Sequence, residues 1–239
     1  MLKITNLKKT FGEKTAVDIA ELGIQEGEIV GLVGNNGAGK TTLFRLCLDL
    51  LKADQGNVLI NECDPALKED WKQTAGSYID ESFLIDFLTP EEYFQFVAKA
   101  CNIGKDVLNE RIAHYETFMS GEIMNQKKLI RDFSAGNKQK IGIIAAMLNQ
   151  PSLLILDEPF NFLDPSSQNI LKTLLQQYNE ETNATIVISS HNLQHTIDIS
   201  TRILLLENGI IVKDLKNGSE AEAELENYFA IPNSETQAS

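Results

Sequence analysis

Gly34-Asn35-Asn36-Gly37-Ala38-Gly39-Lys40-Thr41-Thr42 decides the fold. The stretch reads G-x-x-x-x-G-K-[ST], a glycine-rich phosphate-binding loop. Before it stands Ile29-Val30-Gly31-Leu32-Val33, short, apolar and strand-prone. After it, Thr42 to Leu51 carries Leu43, Leu46, Leu50 and Leu51, which predicts a helix with one buried face. A loop joining strand to helix is the context this pattern needs. Its glycines keep side chains away, so that backbone N–H groups can point inward at phosphate oxygens. The helix start adds partial positive charge at the same spot. Lys40 is expected to reach the β- and γ-phosphates of a nucleotide, and the Thr41 hydroxyl to be a ligand of Mg²⁺.

The surroundings of the loop bound what the chain can be. A length of 239 residues with 43% hydrophobic residues supports one large domain or two small ones with a proper core. The 21 basic and 34 acidic residues give a net charge of −13. That balance argues against a nucleic-acid surface, which would show a basic stripe, and against charge-driven binding to anionic lipid. Cys47, Cys63 and Cys101 lack metal-ligand spacing and read as reduced cytosolic thiols. No run approaches the ~20 apolar residues of a membrane span, and Met1-Leu2-Lys3-Ile4-Thr5 is no signal peptide. The expectation is a soluble, cytosolic chain unless a partner holds it elsewhere.

Outward from the loop, residues 2 to 30 read as short strands with turns, and Leu2 to Leu7 alternates as a half-buried strand does. Phe11 lies early enough in this layout to stack on a flat base, or it is a core or edge phenylalanine. Leu51 to Asn61 turns back into a strand, and Gly76 to Ile79 reads as another. From Glu81 to about Met147 the pattern turns helical. Pro90 opens one helix, and Val107 to Phe118 and Lys138 to Leu148 read as others. Leu153-Leu154-Ile155-Leu156 then runs into Asp157-Glu158, which suits a central strand buried on both faces. Gln168 to Tyr178 reads as a helix, and Ala184 to Ile188 as a buried strand ending at Ser189-Ser190-His191. Asn208-Gly209 between Ile203–Leu206 and Ile210–Val212 signals a hairpin. Ala221 to Phe229 reads as a short acidic helix, followed by a disordered tail over the last ten residues.

An apolar strand ended by Asp157 is a Walker B element, where the aspartate holds Mg²⁺. Glu158 beside it is placed to orient or deprotonate an attacking water. Phe133-Ser134-Ala135-Gly136-Asn137 comes shortly before, at a predicted helix start. Ser134 and Gly136 there form an anion site, or Ser134 is a plain helix cap. A second phosphate site on one chain is redundant unless it serves another chain's nucleotide.

Together these features resemble the ATP-binding domain of ABC transporters, from about residue 2 to 213. Phe133 to Asn137 is similar to the family's signature Leu-Ser-Gly-Gly-Gln, keeping Ser134 and Gly136 and departing at Phe133, Ala135 and Asn137. The resemblance implies an α/β fold: a P-loop NTPase core with a mostly parallel sheet, an N-terminal antiparallel β subdomain and a helical insertion. The core would be residues 1–80 and 147–215, the helical subdomain 81–146, and the C-terminal helix and tail 216–239. It implies ATP as substrate, bound by Gly34 to Thr42 with Phe11 stacking on adenine. Glu81, or the adjacent Asp80, stands at the Q-loop. Asp164 closes the D-loop Asn161-Phe162-Leu163-Asp164, where Phe162 replaces a small residue. Lys40, Glu158 and His191 are the implied catalytic groups, with Thr41 and Asp157 on the metal. His195, one turn after His191, makes a His-x3-His pair with no third ligand in sight.

The implied partners are a second ATP-binding chain, head to tail, and a transmembrane permease subunit that holds the chain at the inner face of the membrane. The groove beside the Q-loop is then expected to expose part of the aromatic set Phe83, Phe87, Tyr93, Phe94 and Phe96. Lys138-Gln139-Lys140 is similar to a variant of the export-type subgroup. Two other readings compete. An ABC-type ATPase acting on ribosomes or DNA fits poorly with the acidic balance. A P-loop kinase or GTPase leaves the signature and His191 unexplained.

Overall fold

The computed structural model describes residues 1–230. In chain order the elements are β1 (Leu2–Phe11), β2 (Lys14–Ile24), β3 (Ile29–Val33), α1 (Lys40–Cys47), β4 (Gln55–Ile60) and β5 (Ala75–Tyr78). Then come α2 (Pro90–Ala100), α3 (Lys105–His114), α4 (Glu116–Met119) and α5 (Ala135–Met147). The last part holds β6 (Leu153–Leu156), α6 (Pro165–Thr182), β7 (Thr185–Ser190), α7 (Leu193–Ile199), β8 (Arg202–Glu207), β9 (Ile210–Lys216) and α8 (Ser219–Ala230). The expected disordered tail lies outside the described residues, apart from Ala230, which ends α8.

Two sheets carry the architecture. β2-β1-β4 form an antiparallel sheet, and β5-β6-β7-β3-β8-β9 form a second one. The second is parallel except for β9, which returns antiparallel to β8. Its inner strands β3, β6 and β7 are mostly apolar because both faces are covered: every residue of the three is buried, including Thr185, Ser189 and Ser190 at the ends of β7. The period of two then sorts their side chains. Leu154 and Leu156 join one core with Phe94, Phe118, Ile141 and Ile144, contributed by the helical segment. Leu153 and Ile155 join the other, with Ile4, Phe44 and Ile60 from the N-terminal side. One sheet thus binds both halves of the molecule.

Local chemistry explains the boundaries. α2 opens on a capping box in which Thr89 accepts from the Glu92 N–H while Glu92 accepts from the Thr89 N–H. α6 opens on Asp164 and Pro165 and stops at Asn183, in the left-handed conformation with φ 55°. Asn208 and Gly209, with φ 48° and 81°, make the β8–β9 turn.

Some sequence expectations shift. The N-terminal region has two long strands rather than several short ones, since one antiparallel ladder runs from the Leu2–Ile24 pair to the Phe11–Lys14 pair and passes over a register shift between Lys9 and Thr10 without ending. α1 begins at Lys40 and ends at Cys47, so Leu50 lies beyond it and is 48% exposed. The predicted helix over Val107 to Phe118 is two helices, α3 and α4, broken at Tyr115.

Candidate functional site

Strands β3, β5, β6 and β7 run parallel, so the loops after them emerge at one edge of the sheet. Ligands of open α/β sheets bind in the crevice outside that carboxyl edge. The edge gathers the phosphate loop after β3, Asp80 and Glu81 after β5, Asp157 and Glu158 after β6, and His191 after β7.

The phosphate loop enters α1 through Gly39, whose φ of 111° only glycine holds without strain. A Cβ there would sit 2.2 Å from the Ala16 carbonyl oxygen. Lys40 is 6% exposed, and its ammonium donates to the carbonyls of Gly34 at 2.7 Å and Asn35 at 3.4 Å. A cavity of about 350 Å³ lies over the loop, lined by Asn36 to Thr42 together with Phe11, Lys14, Ala16 and Glu158. Phe11 is half-exposed at its mouth, with the Lys9 ammonium 5.5 Å from the ring centroid. Lys14 had no motif to single it out, and only the pairing of β1 with β2 brings it here.

Asp157 is buried, and both its oxygens are engaged: the Ser189 hydroxyl donates to one and the Thr41 hydroxyl to the other. Burial pushes its pKa up, and the two hydroxyl donors only partly offset this. A hydroxyl and a buried carboxylate are the hard oxygen donors Mg²⁺ takes, and a cation beside Asp157 would offset the cost of its burial. Glu158 sits between three groups. Its Oε1 is 3.4 Å from the Lys40 ammonium. Its Oε2 accepts from the His191 N–H at 3.2 Å and lies 2.8 Å from the His191 Nδ1. Sequence reasoning put Asp157, Glu158, Lys40, Thr41 and His191 in roles, and the fold brings these five together. It missed Ser189, whose signal was a hydroxyl closing an otherwise apolar strand.

Ser134 caps α5 by accepting from the Asn137 N–H at 3.3 Å, and it is exposed. Neither Ser134 nor Gly136 lines the phosphate-loop cavity. A second cavity, of about 250 Å³, lies between the two motifs and touches Asp80, Glu81, Ala135, Glu158 and Phe162. Asp80 pairs with Arg45 at 3.0 Å, while Glu81 reaches Lys138 at 3.3 Å. Burial works against the charge of Asp80, but hydrogen bonds from Ser82 and Arg45 outweigh it and hold the pKa low. Asp164 accepts from the N–H groups of Ser166 and Ser167, both at 3.0 Å, as the cap of α6. The Ser167 hydroxyl and these amides hold its pKa low. Phe162 is 73% exposed on a left-handed backbone, φ 60°. His195 packs its ring against Phe160, centroids 4.9 Å apart, and among the described residues no cluster of three or more metal-ligating side chains forms. Of the aromatic set, Phe83, Phe87 and Phe96 are exposed, Tyr93 is half-buried and Phe94 is fully buried.

The sequence profile described as ABC transporter matches residues 17–161, more than half of the chain. The chain belongs to the ABC transporter family. It is an ATP-binding, ATP-hydrolysing subunit that powers a transporter. This ABC ATPase is 32% identical to the lantibiotic transport ATP-binding protein SrtF of Streptococcus pyogenes, over 95% of this chain and 96% of that one. It is 33% identical to the SkfA peptide export ATP-binding protein SkfE of Bacillus subtilis, over 90% and 89%. It superposes on the dimeric structure of MJ0796, a bacterial ABC transporter cassette, with a TM-score of 0.82 and 25% identity, covering 92% of this ABC ATPase and 100% of that chain. Among the described residues no helix is long and apolar enough to cross a membrane.

Proposed function

We propose that this ABC ATPase drives peptide export, and that its hydrolytic centre is Glu158 between Lys40 and His191. The observation that carries the centre is the placement of one carboxylate within 3.4 Å of the phosphate-loop lysine and 2.8 Å of the histidine. Phe11 stacks on the adenine, and the amides of Gly34 to Thr42 cradle the phosphates. Glu158 takes a proton from the attacking water, the water oxygen bonds to the γ-phosphorus in line, and ADP leaves. Lys40 and the loop amides hold the charge that develops, and His191 fixes the γ-phosphate. Thr41 and Asp157 would hold Mg²⁺, which when bound neutralises phosphate charge.

Ser134 and Gly136 stand outside their own phosphate-loop cavity, which supports a head-to-tail dimer in which each chain's α5 start meets its partner's ATP. Glu81, with Asp80 next to it, then reports on the γ-phosphate, and Asp164 holds the D-loop at the dimer seam. A transmembrane permease would keep the assembly at the inner face of the membrane and dock beside Phe83 and Phe87. Export of a peptide is favoured by Lys138-Gln139-Lys140 and by relatives whose names specify lantibiotic transport and SkfA peptide export. No nucleic acid is involved.

The test is Glu158→Gln, examined by ATPase assay and by light scattering with and without MgATP. The expected result is retained ATP binding, turnover lowered by roughly a hundredfold or more, and an ATP-dependent dimer. Wild-type turnover would sink the assignment of Glu158. With the permease present, the same variant is expected to stop peptide efflux.

A further inference from the structure

Glu158 is held in an unusual way. Its φ of +47° lies in the left-handed region, which a residue with a long side chain keeps only when its surroundings fix it. Two side chains from different elements do so. On its N-terminal side, the Ser189 hydroxyl at the end of β7 accepts from the Glu158 N–H at 2.8 Å. On its C-terminal side, the Gln139 amide in α5 donates to the Glu158 carbonyl at 3.1 Å. Gln139 is only 3% exposed, so its amide group is committed inside the protein. With the backbone pinned at both ends, the carboxylate faces Lys40 and His191.

α5 is seated so that this bond transmits position. Gly136, Gln139 and Gly142 recur every three residues and share one face of the helix. A Cβ on Gly136 would lie 2.6 Å from the Phe162 carbonyl oxygen, and one on Gly142 2.2 Å from the Tyr78 ring. The same stripe therefore presses on the segment after Glu158 and on the end of β5, with Gln139 between the two close approaches.

We propose that Gln139 is a positioning residue for ATP hydrolysis: it fixes the Glu158 backbone so that the carboxylate faces the phosphate loop, and it ties that carboxylate to α5. The inference rests on the reading of Glu158 as the carboxylate that activates water. α5 then spans two ATP sites. Its start faces the partner's nucleotide, and one turn later Gln139 holds this chain's own Glu158. A shift of α5 on the partner's ATP moves Glu158.

The test is Gln139→Met, which keeps the length and removes the donor, with Glu158→Gln measured in parallel. The expected result is a kcat about tenfold lower, the cost of one lost hydrogen bond to the backbone that carries the reacting carboxylate, with KM for ATP and the thermal midpoint without nucleotide close to wild type. Gln139→Asn, which keeps the amide but cannot reach, is expected to behave alike and serves if methionine is not accommodated. The proposal is overturned if both variants turn over within twofold of wild type while Glu158→Gln is inactive. It is overturned equally if kcat falls only together with the thermal midpoint or with a higher KM, the mark of a merely structural glutamine. Wild-type turnover by Glu158→Gln would instead remove the reading beneath it.

Discussion

Two helices of this chain start at an expected phosphate, and they are built differently. α1 starts at Gly39, which has no side chain to cap it, so its first amides are left to point into the cavity. Lys40 and Ala38 are both 6% exposed, and Phe11, Lys14 and Glu158 of the same chain wall the site. α5 starts at Ser134, whose hydroxyl already takes the Asn137 N–H, and the serine is exposed. The first helix start is enclosed by its own chain. The second is a surface. On the proposed function, nucleotide affinity then belongs to the enclosed α1 start, and the exposed α5 start acts only on an anion that another molecule brings to it. Variants that strike one start and spare the other sharpen this contrast or break it.

The largest effect is expected at the enclosed start. Lys40→Ala removes the only ammonium within 4 Å of Glu158 among the described residues, and with it the charge that meets the β- and γ-phosphates. ATP binding should weaken and kcat/KM fall by roughly 10²–10³-fold, measured by titration of a fluorescent ATP analogue and by phosphate release. A variant that binds and turns over ATP normally would show that α1 is not the affinity site.

A smaller and more selective effect is expected at the open start. Ser134→Asp keeps a good cap, because an aspartate accepts from the same N–H, and a negative charge at a helix start is favourable. Folding stability should therefore stay within about 0.5 kcal/mol of wild type. The same charge would stand against the partner's γ-phosphate, and like charges brought together cost enough to lower turnover about a hundredfold. ATP binding to the single chain should survive. If Ser134→Asp dimerises on MgATP in the Glu158→Gln background, the exposed start has no anion to meet and the contrast fails.

The enclosed site was legible in the sequence because its parts are local. Gly34 to Thr42 is one contiguous pattern, and it follows the apolar β3, while β6 is an unbroken apolar run ended by Asp157 and β7 holds the apolar run Ile186 to Ile188 ended by Ser189. The convergence of Asp157, Glu158 and His191 on that loop follows from parallel strands sharing a carboxyl edge. Other features were illegible for physical reasons. Lys14 enters the cavity through strand pairing, and no spacing encodes it. Gln139 and Ser189 act through the Glu158 backbone, and the left-handed φ that gives their bonds a purpose is invisible in residue types. The break between α3 and α4 escaped because the helical period continues through Tyr115, which is itself buried.

The smallest expected effect concerns the charge that the enclosed site must bury. Burial raises the pKa of Asp157, and the donors Ser189 and Thr41 do not fully offset it. A folded-state pKa above the unfolded value means that the folded chain holds the proton more tightly. The stability from this group is thus fully present below the ordinary carboxylate pKa of about 3.9, and is lost as pH rises through the raised folded value. Wherever Asp157 is ionised, its buried charge weighs against folding. Asp157→Asn removes this titration, while the two hydroxyls can rotate to serve an amide. Its unfolding midpoint relative to wild type should therefore rise between pH 4 and pH 7 in urea titrations without nucleotide. Carboxylates remote from Asp157 titrate alike in both proteins and cancel in the difference, whereas Glu158, whose charge acts on Asp157, is held constant by making the comparison in the Glu158→Gln background. A difference flat with pH would mean that water reaches Asp157 and that the site is less enclosed than its geometry states. Ser134 is exposed and uncharged, so Ser134→Ala, which neither adds nor removes an ionisable group, should show no such pH dependence, and the two helix starts are told apart a third time, by protons rather than by phosphate.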